Sequence, residues 1–194
     1  MATTTKARDF VEFPSQFNEH WAWEPSVLAH YARHWKTGAP MPKALAAKIV
    51  AAQKFDKAFD TSSALAAMEM DMKVHTIAPG SDLGDVDAFE AKTLKDTGLP
   101  VDVVPVRYRL STFRHVFGGG YSASYYAYEW TKMLEADAYQ WFVEHGGMTR
   151  ANGQRMRDLV LSRGDRAPLD TIWRDFRGRD PQVGPLLKEL GLDQ

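Results

Sequence analysis

Apolar residues recur at helical spacing through most of the chain. The segment 9–24 shows this spacing, with Pro14 as a kink or boundary, and the segment 25–38 opens with Pro25 and stops at Gly38. In 41–59 one apolar stripe contains Leu45, Ile49, Ala52, Phe55 and Phe59. The same reasoning predicts further helices over 62–77, 85–98, 121–145, 149–162 and 168–176.

The periodicity changes once, in "LPVDVVPVRYRL" at 99–110, where valines alternate with polar residues. Pro100 and Pro105 limit this segment to an edge strand or an extended loop, because proline donates no backbone hydrogen bond. No internal repeat or linker is visible. The sequence therefore predicts a mainly α fold, a single multi-helix domain over residues 1–194 with one short extended or β segment near 99–110.

Charge and composition exclude several classes of partner and chemistry. The chain has 24 basic and 25 acidic residues, so no basic field exists to attract nucleic acid or a membrane surface. No apolar run approaches a membrane span, and "MATTTKARDF" at the start lacks the apolar stretch of a secretory signal, which favours the cytoplasm and leaves a periplasm open. Cysteine is absent, so any metal must be held by His, Asp or Glu.

The densest chemistry lies in "HVFGGGYSASYYAY" at 115–128, where a histidine and three glycines precede four tyrosines. If the helix predicted over 121–145 begins at its first residue, Tyr121, Tyr125 and Tyr128 share one face. Together with His115 they would form a row of hydrogen-bond donors suited to stabilising an oxyanion. An aromatic helix face packed in the core is the alternative, and the stretch alone leaves both open.

A second candidate lies in "ARDFVEFPSQFNEHW" at 7–21. Glu12 stands between Val11 and Phe13, a poor setting for a solvated carboxylate, so it is either paired or bound to a metal. Glu19, seven residues later, shares its helix face if Pro14 is tolerated near the helix start. An ordinary amphipathic helix remains the alternative.

One apparent zinc motif is not favoured. In "HYARH", His30 and His34 have the i, i+4 spacing of zinc ligands, but Tyr31 occupies the position where a zinc peptidase of the H-E-x-x-H type has its glutamate. The following "WKTG" offers no third ligand. The three glycines likewise lack the Lys-Ser/Thr of a phosphate-binding loop, and no serine lies in a nucleophile elbow.

Three stretches resemble a known family. "RDFVEFPSQFNEHWAWEP", "FRHVFGGGYSASYYAYEW" and "YQWFVEHGGMTRANGQRMRDLVLSRG" are similar, in this order, to the C-terminal catalytic part of the thimet oligopeptidase family of zinc metallopeptidases, which includes oligopeptidase A and bacterial peptidyl-dipeptidases (dipeptidyl carboxypeptidases). The resemblance runs from about Ala7 to the end of the chain. It implies a mostly helical fold with a deep cleft between two halves, one wall of which this chain would form.

The resemblance also implies roles for individual residues. Glu12 falls on the third zinc ligand of the family, and His115 falls on its catalytic histidine. Tyr121 and Tyr128 fall on the tyrosines that contact the substrate and stabilise the oxyanion, and Tyr125 is a further candidate for substrate binding. Zinc is the implied cofactor, and short peptides are the implied substrates.

The sequence departs from the family in one respect: it contains no H-E-x-x-H, and only eleven residues precede Glu12. Two zinc ligands and the general base are therefore missing. We expect the chain alone to hold no zinc tightly and to be inactive, with an N-terminal half carrying H-E-x-x-H as its partner and self-association through an exposed cleft wall. A fragment of the enzyme, a non-catalytic peptide-binding or regulatory module, and a purely structural domain all remain open.

Overall fold

The computed structural model describes residues 7–99 and 102–192. Regular structure within these residues is almost entirely helical. In chain order the helices are α1 (Phe13–Trp23), α2 (Pro25–Tyr31), α3 (Lys43–Ala52), α4 (Lys57–His75), α5 (Val86–Asp96), α6 (Arg114–Phe117), α7 (Ala127–Glu144), α8 (Arg150–Met156), α9 (Leu169–Arg177) and α10 (Gly184–Leu190). Short 3-10 turns lie at Arg8–Phe10 and Leu110–Thr112, and a π-helical turn at Arg157–Leu161 continues α8.

The predicted mainly α fold is confirmed. The only β pairing among the described residues is an isolated antiparallel bridge between Arg33 and Pro40. Residues 102–109 are non-helical, as the sequence predicts, but they form turns, bends and irregular backbone that pair with no described strand, and Leu110 begins the second 3-10 turn. The segment is instead attached to α4, where the backbone N–H of Arg107 donates to the carbonyl of Ser63 at 3.1 Å. Pro100 lies outside the described residues.

Several helix boundaries differ from the predicted ones, and local backbone conformation explains the first of them. The helix predicted over 41–59 is interrupted: α3 ends at Ala52, and α4 begins only after Asp56, whose φ of +55° is left-handed. The helix α4 then runs on through the predicted segment 62–77 to His75. α2 ends at Tyr31 rather than at Gly38, and α7 begins at Ala127 rather than at residue 121.

The chain divides into two compact units, Met1–Phe55 with Glu129–Gln194, and Asp56–Tyr128. We call them the first and the second unit; that residues 1–194 form a single domain stays a prediction. The first unit has one aromatic-rich core drawn from α1, α7, the α8 region and α9. Its buried members are Phe10, Phe13, Phe17, Leu134, Ala138, Trp141, Phe142, Met156, Val160, Ile172, Trp173 and Phe176.

The second unit is built on α4. One group of buried side chains from this helix, including Ala67 and Met68, packs against Phe113, Val116 and Tyr125. A second group, Met70 and Val74, packs against Leu110. Because burying a large apolar side chain contributes about 1.5–3 kcal/mol, both clusters hold the 106–128 segment on α4.

Not every apolar helix is buried. α3 has no buried residue, and Leu45 is 47% exposed, so the predicted stripe of this helix faces solvent in this chain. In the turn that follows, Phe55 is 76% exposed. Along the described residues, no helix combines the length and the apolarity that crossing a bilayer requires.

Candidate functional site

The second unit brings four of the predicted site residues together. The ring centroid of His115 lies 6.2 Å from that of Tyr121, 5.6 Å from Tyr125 and 6.1 Å from Tyr128. Tyr128 in turn lies 5.2 Å from Tyr121 and 5.1 Å from Tyr125. Tyr121 and Tyr125 are buried, whereas His115 and Tyr128 are partly exposed. We call these four residues the tyrosine cluster.

A turn, and not a helix face, produces this cluster, which corrects the predicted geometry. Residues 122–126 form turns, and Ala123 has a left-handed φ of +51° that a helix cannot accommodate. The hydroxyl of Ser122 donates to the carbonyl of Val116 at 2.5 Å. Local hydrogen bonding therefore competes successfully with the helical ladder until Ala127.

The glycine run lets the chain turn back tightly on His115. The backbone N–H of Tyr121 donates to the carbonyl of His115 at 3.1 Å. A Cβ on Gly119 would lie 2.8 Å from that carbonyl oxygen and 2.9 Å from the His115 Cα, and Gly120 has a φ of +80°. Only glycine fits such an approach without a shift of the backbone, so the run places Tyr121 beside His115.

A buried carboxylate that the sequence reasoning missed fixes the turn. Asp71 in α4 is fully buried and accepts hydrogen bonds from the backbone N–H groups of Ala123 at 3.0 Å and Tyr125 at 2.8 Å. Nδ1 of His75, one helical turn later, lies 2.8 Å from the same carboxylate. No local pattern around Asp71 indicates this role, because the two backbone partners of its carboxylate lie 52 and 54 residues away.

Tyr108 and Arg107 extend the cluster on one side. The Tyr108 ring lies 5.5 Å from His115 and 6.2 Å from Tyr125. The Arg107 guanidinium lies over the Tyr108 ring, 5.8 Å from its centroid. Burial, with a smaller contribution from Tyr108, raises the pKa of Tyr125 to about 12, so its phenol stays protonated and can donate a hydrogen bond.

Glu12, the predicted metal ligand, lies in the first unit. It precedes the first turn of α1, where its carbonyl accepts from the backbone N–H of Gln16 at 3.1 Å. The hydroxyl of Ser15 lies 2.8 Å from the same carbonyl and 3.3 Å from the Glu12 carboxylate. Pro14 is tolerated because it occupies the first turn of α1, where its missing N–H would have no helical partner.

The first unit also contains a histidine between two carboxylates that the sequence reasoning missed. Nε2 of His20 hydrogen-bonds to Glu135, and its Nδ1 lies 3.5 Å from a Glu189 oxygen. The imidazole stacks on Tyr139, with 4.0 Å between the ring centroids. One nitrogen of His20 and one carboxylate oxygen each from Glu135 and Glu189 lie within 4.8 Å of one another. The two carboxylates face different nitrogens of the His20 ring. This arrangement suits a protonated imidazole, which donates from both nitrogens, better than a metal ion, which can bind only one ring nitrogen.

Burial opposes protonation of this imidazole, but the hydrogen bond to Glu135 and the negative charges of Glu135 and Glu189 outweigh it. They hold the pKa of His20 above its ordinary value. His20 and Glu135 are 115 positions apart in the sequence, so no local spacing could predict their contact.

His30 and His34 do not keep the helical spacing that the motif "HYARH" suggests. The helix α2 ends at Tyr31, and Nδ1 of His34 accepts from the backbone N–H groups of Lys36 and Thr37 at 3.3 Å and 3.2 Å.

A shallow concavity of about 610 Å³ in the second unit contains none of the predicted site residues. It is lined by Leu83, Gly84, Asp85, Val86, Asp87, Leu110, Ser111 and Phe117.

Comparison with known proteins places the chain in a family. The profile of Peptidase family M3 matches residues 1–192. Dipeptidyl carboxypeptidase of Escherichia coli is 48% identical over 193 residues, which are 100% of this chain and 28% of that protein. Oligopeptidase A of E. coli is 39% identical over 190 residues, covering 95% of this chain and 27% of that protein.

A more distant relative is saccharolysin of Saccharomyces cerevisiae, 32% identical over 184 residues, with 95% of this chain and 26% of that protein covered. The chain therefore spans about a quarter of the length of these relatives. Since the family profile covers nearly every residue of the chain, the chain belongs to Peptidase family M3.

Proposed function

We propose that this chain serves as the C-terminal catalytic portion of a zinc-dependent oligopeptidase or peptidyl-dipeptidase that hydrolyses short peptides. The observation that carries the proposal is the convergence of His115, Tyr121, Tyr125 and Tyr128 on one another in a member of this family. These side chains supply one imidazole and three phenols as hydrogen-bond groups. Tyr126, in the same run, is 43% exposed and has no ring contact with them in the structure, so it has no part in the proposal.

His115, Tyr121 and Tyr128 act as donors to the oxygen that becomes negative when the scissile peptide carbonyl turns tetrahedral. Donors that are already oriented stabilise this charge without reorganising, and partial burial strengthens their effect. Tyr125 contacts the substrate, and Asp71 holds the turn that carries these residues. A side chain that donates mainly in the transition state raises kcat rather than lowering KM.

Glu12 is the residue proposed to bind zinc, and a carboxylate oxygen is a suitable ligand. Catalytic zinc ordinarily takes three protein ligands, and among the described residues the one cluster of three His, Asp or Glu ligands does not include Glu12. This chain alone therefore does not fit the metal. Zinc held by Glu12 together with the ligands that this chain does not supply would provide activation of a water molecule for attack on the peptide. We propose that a polypeptide carrying H-E-x-x-H, corresponding to the N-terminal half of the relatives, is the partner that completes the site.

The test compares the chain alone with the chain supplied with the N-terminal portion of E. coli dipeptidyl carboxypeptidase. Zinc is measured after dialysis, and hydrolysis is measured on a short peptide. We expect neither zinc nor hydrolysis from the chain alone, and both in the combined sample. Glu12→Gln should then weaken zinc retention. One zinc held tightly by the lone chain, together with chelator-sensitive hydrolysis, would overturn the proposal that a partner is needed.

In the active combination, Tyr128→Phe should leave the zinc content unchanged and lower kcat by roughly 10²–10³-fold, with a smaller change in KM. Tyr126→Phe removes the same hydroxyl group from an exposed neighbour and is the matched control. Equal kcat values in both variants would remove Tyr128 from the proposed role.

A non-catalytic peptide-binding module is the second candidate. It is favoured by one observation: the tyrosine cluster lies wholly within the second unit, so it can contact a peptide without a metal. Peptide binding by the combined sample without any hydrolysis would favour this function over the first.

A further inference from the structure

His75, the last residue of α4, lies beside both sides of the turn that carries the tyrosine cluster. Its Nδ1 is 2.8 Å from the carboxylate of Asp71, which accepts from the backbone N–H groups of Ala123 and Tyr125 after the glycine run. The imidazole also lies against Phe117, with 5.6 Å between the ring centroids. Phe117 ends α6 directly before the glycine run. One imidazole therefore contacts the chain before the run and, through a carboxylate, fixes it afterwards.

The oxygens around Nδ1 of His75 determine where the ring carries a proton. One is the carboxylate oxygen of Asp71, and the other is the backbone carbonyl oxygen of the same residue, at 2.9 Å. Both oxygens are acceptors, so Nδ1 has to be the donor. The ring is thereby held in one tautomer and one orientation, with its N–H directed at Asp71.

The carboxylate of Asp71 is fully buried, so donors within the protein must stabilise its charge. His75 and two backbone N–H groups supply them. The carboxylate oxygen that faces His75 also accepts from Ala123, whereas Tyr125 donates to the other oxygen. The bond from His75 therefore fixes the rotation of the carboxyl group. That rotation decides where the two backbone N–H groups of the turn are held.

We infer that His75 is a positioning residue for the tyrosine cluster, because its Nδ1–H holds the Asp71 carboxylate in the orientation that fixes the turn. The inference rests on the proposed function, since it concerns how the same donors are presented to the substrate. A ring that only packs against Phe117 would be a different role, and it would not depend on a donor at Nδ1.

Two substitutions separate the donor from the ring. His75→Asn places a side-chain amide N–H near the position of Nδ1 but has no ring, whereas His75→Phe keeps a ring against Phe117 and has no donor. Hydrogen exchange of the Ala123 and Tyr125 amides, followed by NMR on the full chain, reports how firmly the turn is held. His75→Phe should accelerate both exchanges by roughly 10–100-fold, as expected for the loss of a hydrogen bond to a charged group. His75→Asn should restore slow exchange.

His145 provides the control. Its Nδ1 bonds to the carbonyl of Trp141 at 2.7 Å, the same i, i+4 relation, and no described carboxylate pairs with it. His145→Phe should leave both exchange rates unchanged. Equal rates in His75→Asn and His75→Phe would overturn the inference. Nitrogen NMR of the wild type tests it without any variant: the proton should be found on Nδ1 of His75, and a ring protonated only on Nε2 would also overturn it.

Activity of the chain combined with the H-E-x-x-H partner supplies a second readout. His75→Phe should lower kcat by about tenfold or more with a smaller change in KM, because misplaced donors are lost mainly in the transition state. His75→Asn should recover most of kcat. A wild-type kcat in His75→Phe would overturn the inference and leave the proposed function intact. A combined sample without hydrolysis would count against the proposed function, and the amide exchange would still decide the role of His75.

Discussion

The buried carboxylate of Asp71 accepts a hydrogen bond from the backbone N–H of Tyr125 at 2.8 Å, across 54 residues of sequence. Its other oxygen accepts from Ala123, the residue with the left-handed backbone. One side chain of α4 thus holds the turn that presents the tyrosine cluster, and the charge on Asp71 suits this task because both partners are donors.

Asp71→Asn should therefore loosen this turn. The amide keeps one acceptor oxygen but directs an NH₂ group at a backbone N–H, and a buried unsatisfied group costs about 1–3 kcal/mol of unfolding free energy. The pKa of Tyr125 should fall from about 12 towards 10, because a loosened turn exposes the phenol. Urea unfolding and ultraviolet titration of the tyrosines measure the two effects.

Glu69→Gln is the matched control for Asp71→Asn, since it makes the same chemical change at an exposed position of α4 two residues earlier. It should alter neither quantity. A wild-type Tyr125 titration in Asp71→Asn would show that the turn holds without the carboxylate.

Gly119→Ala should disturb the approach of the glycine run to His115. The added Cβ would lie 2.8 Å from the His115 carbonyl oxygen, which is backbone and cannot rotate away. We expect a loss of about 1–3 kcal/mol in unfolding free energy, as for other overpacked sites. Thermal or urea denaturation measures it.

The neighbouring glycine provides the control for Gly119→Ala. A Cβ on Gly118 would meet Arg114 atoms only at 3.8 Å and 4.0 Å, which is ordinary contact, so Gly118→Ala should cost much less. Equal losses in the two variants would show that backbone entropy, and not the approach to His115, explains the run of glycines.

The sequence predicted the helical fold and the residues of the tyrosine cluster, but not the way they are assembled. His115 and the three tyrosines are close in sequence, so any compact turn brings them together, and helical spacing was one route among several. The structure uses a left-handed Ala123 instead, and its support from Asp71 comes from another helix. Long-range polar partners of this kind leave no local pattern.

The same limit applies to His20 and to α3. No local pattern singles out His20, because its partner Glu135 lies 115 residues away. For α3 the apolar spacing correctly predicted a helix. Such spacing shows only that a helix has an apolar face, because what covers that face depends on partners outside the segment. The residues that local reasoning placed well, such as Pro14 at the start of α1, depend only on neighbours along the chain.

Self-association should follow from the exposed apolar side chains of α3 and the turn after it. Leu45 is 47% and Phe55 76% exposed, and association would remove apolar side chains of this size from water. We expect sedimentation velocity to show concentration-dependent association that Leu45→Ser with Phe55→Ser reduces. Val103→Ser, at a 74% exposed position of the second unit, should leave association unchanged. A strictly monomeric wild type at high concentration would contradict this expectation.

The stability of the first unit should decrease as the pH rises, through His20. Its pKa is raised in the folded chain by Glu135 and Glu189, with Glu19 adding a smaller negative charge, although burial opposes the shift. A group whose folded pKa exceeds its unfolded value contributes stability that is fully present below the unfolded value, about 6.5 for histidine. That contribution is lost as the pH rises through the folded value. Hydrogen bonds to charged groups are worth about 1.5–3 kcal/mol, which sets the scale of the loss.

Urea unfolding measures this effect when it is repeated from about pH 5.5 to about pH 9, a range that covers the titration of a histidine with a raised pKa. His20→Gln should be less stable than the wild type at the acid end and should lose most of the pH dependence, because the buried Glu135 is then without its cation. His30→Gln changes an exposed histidine of the same unit and should retain the wild-type profile. If His20→Gln kept the full decline of stability with rising pH, a group other than His20 would lose the proton that causes the decline. The contacts of His20 with Glu135 and Glu189 would then not be those of an imidazolium.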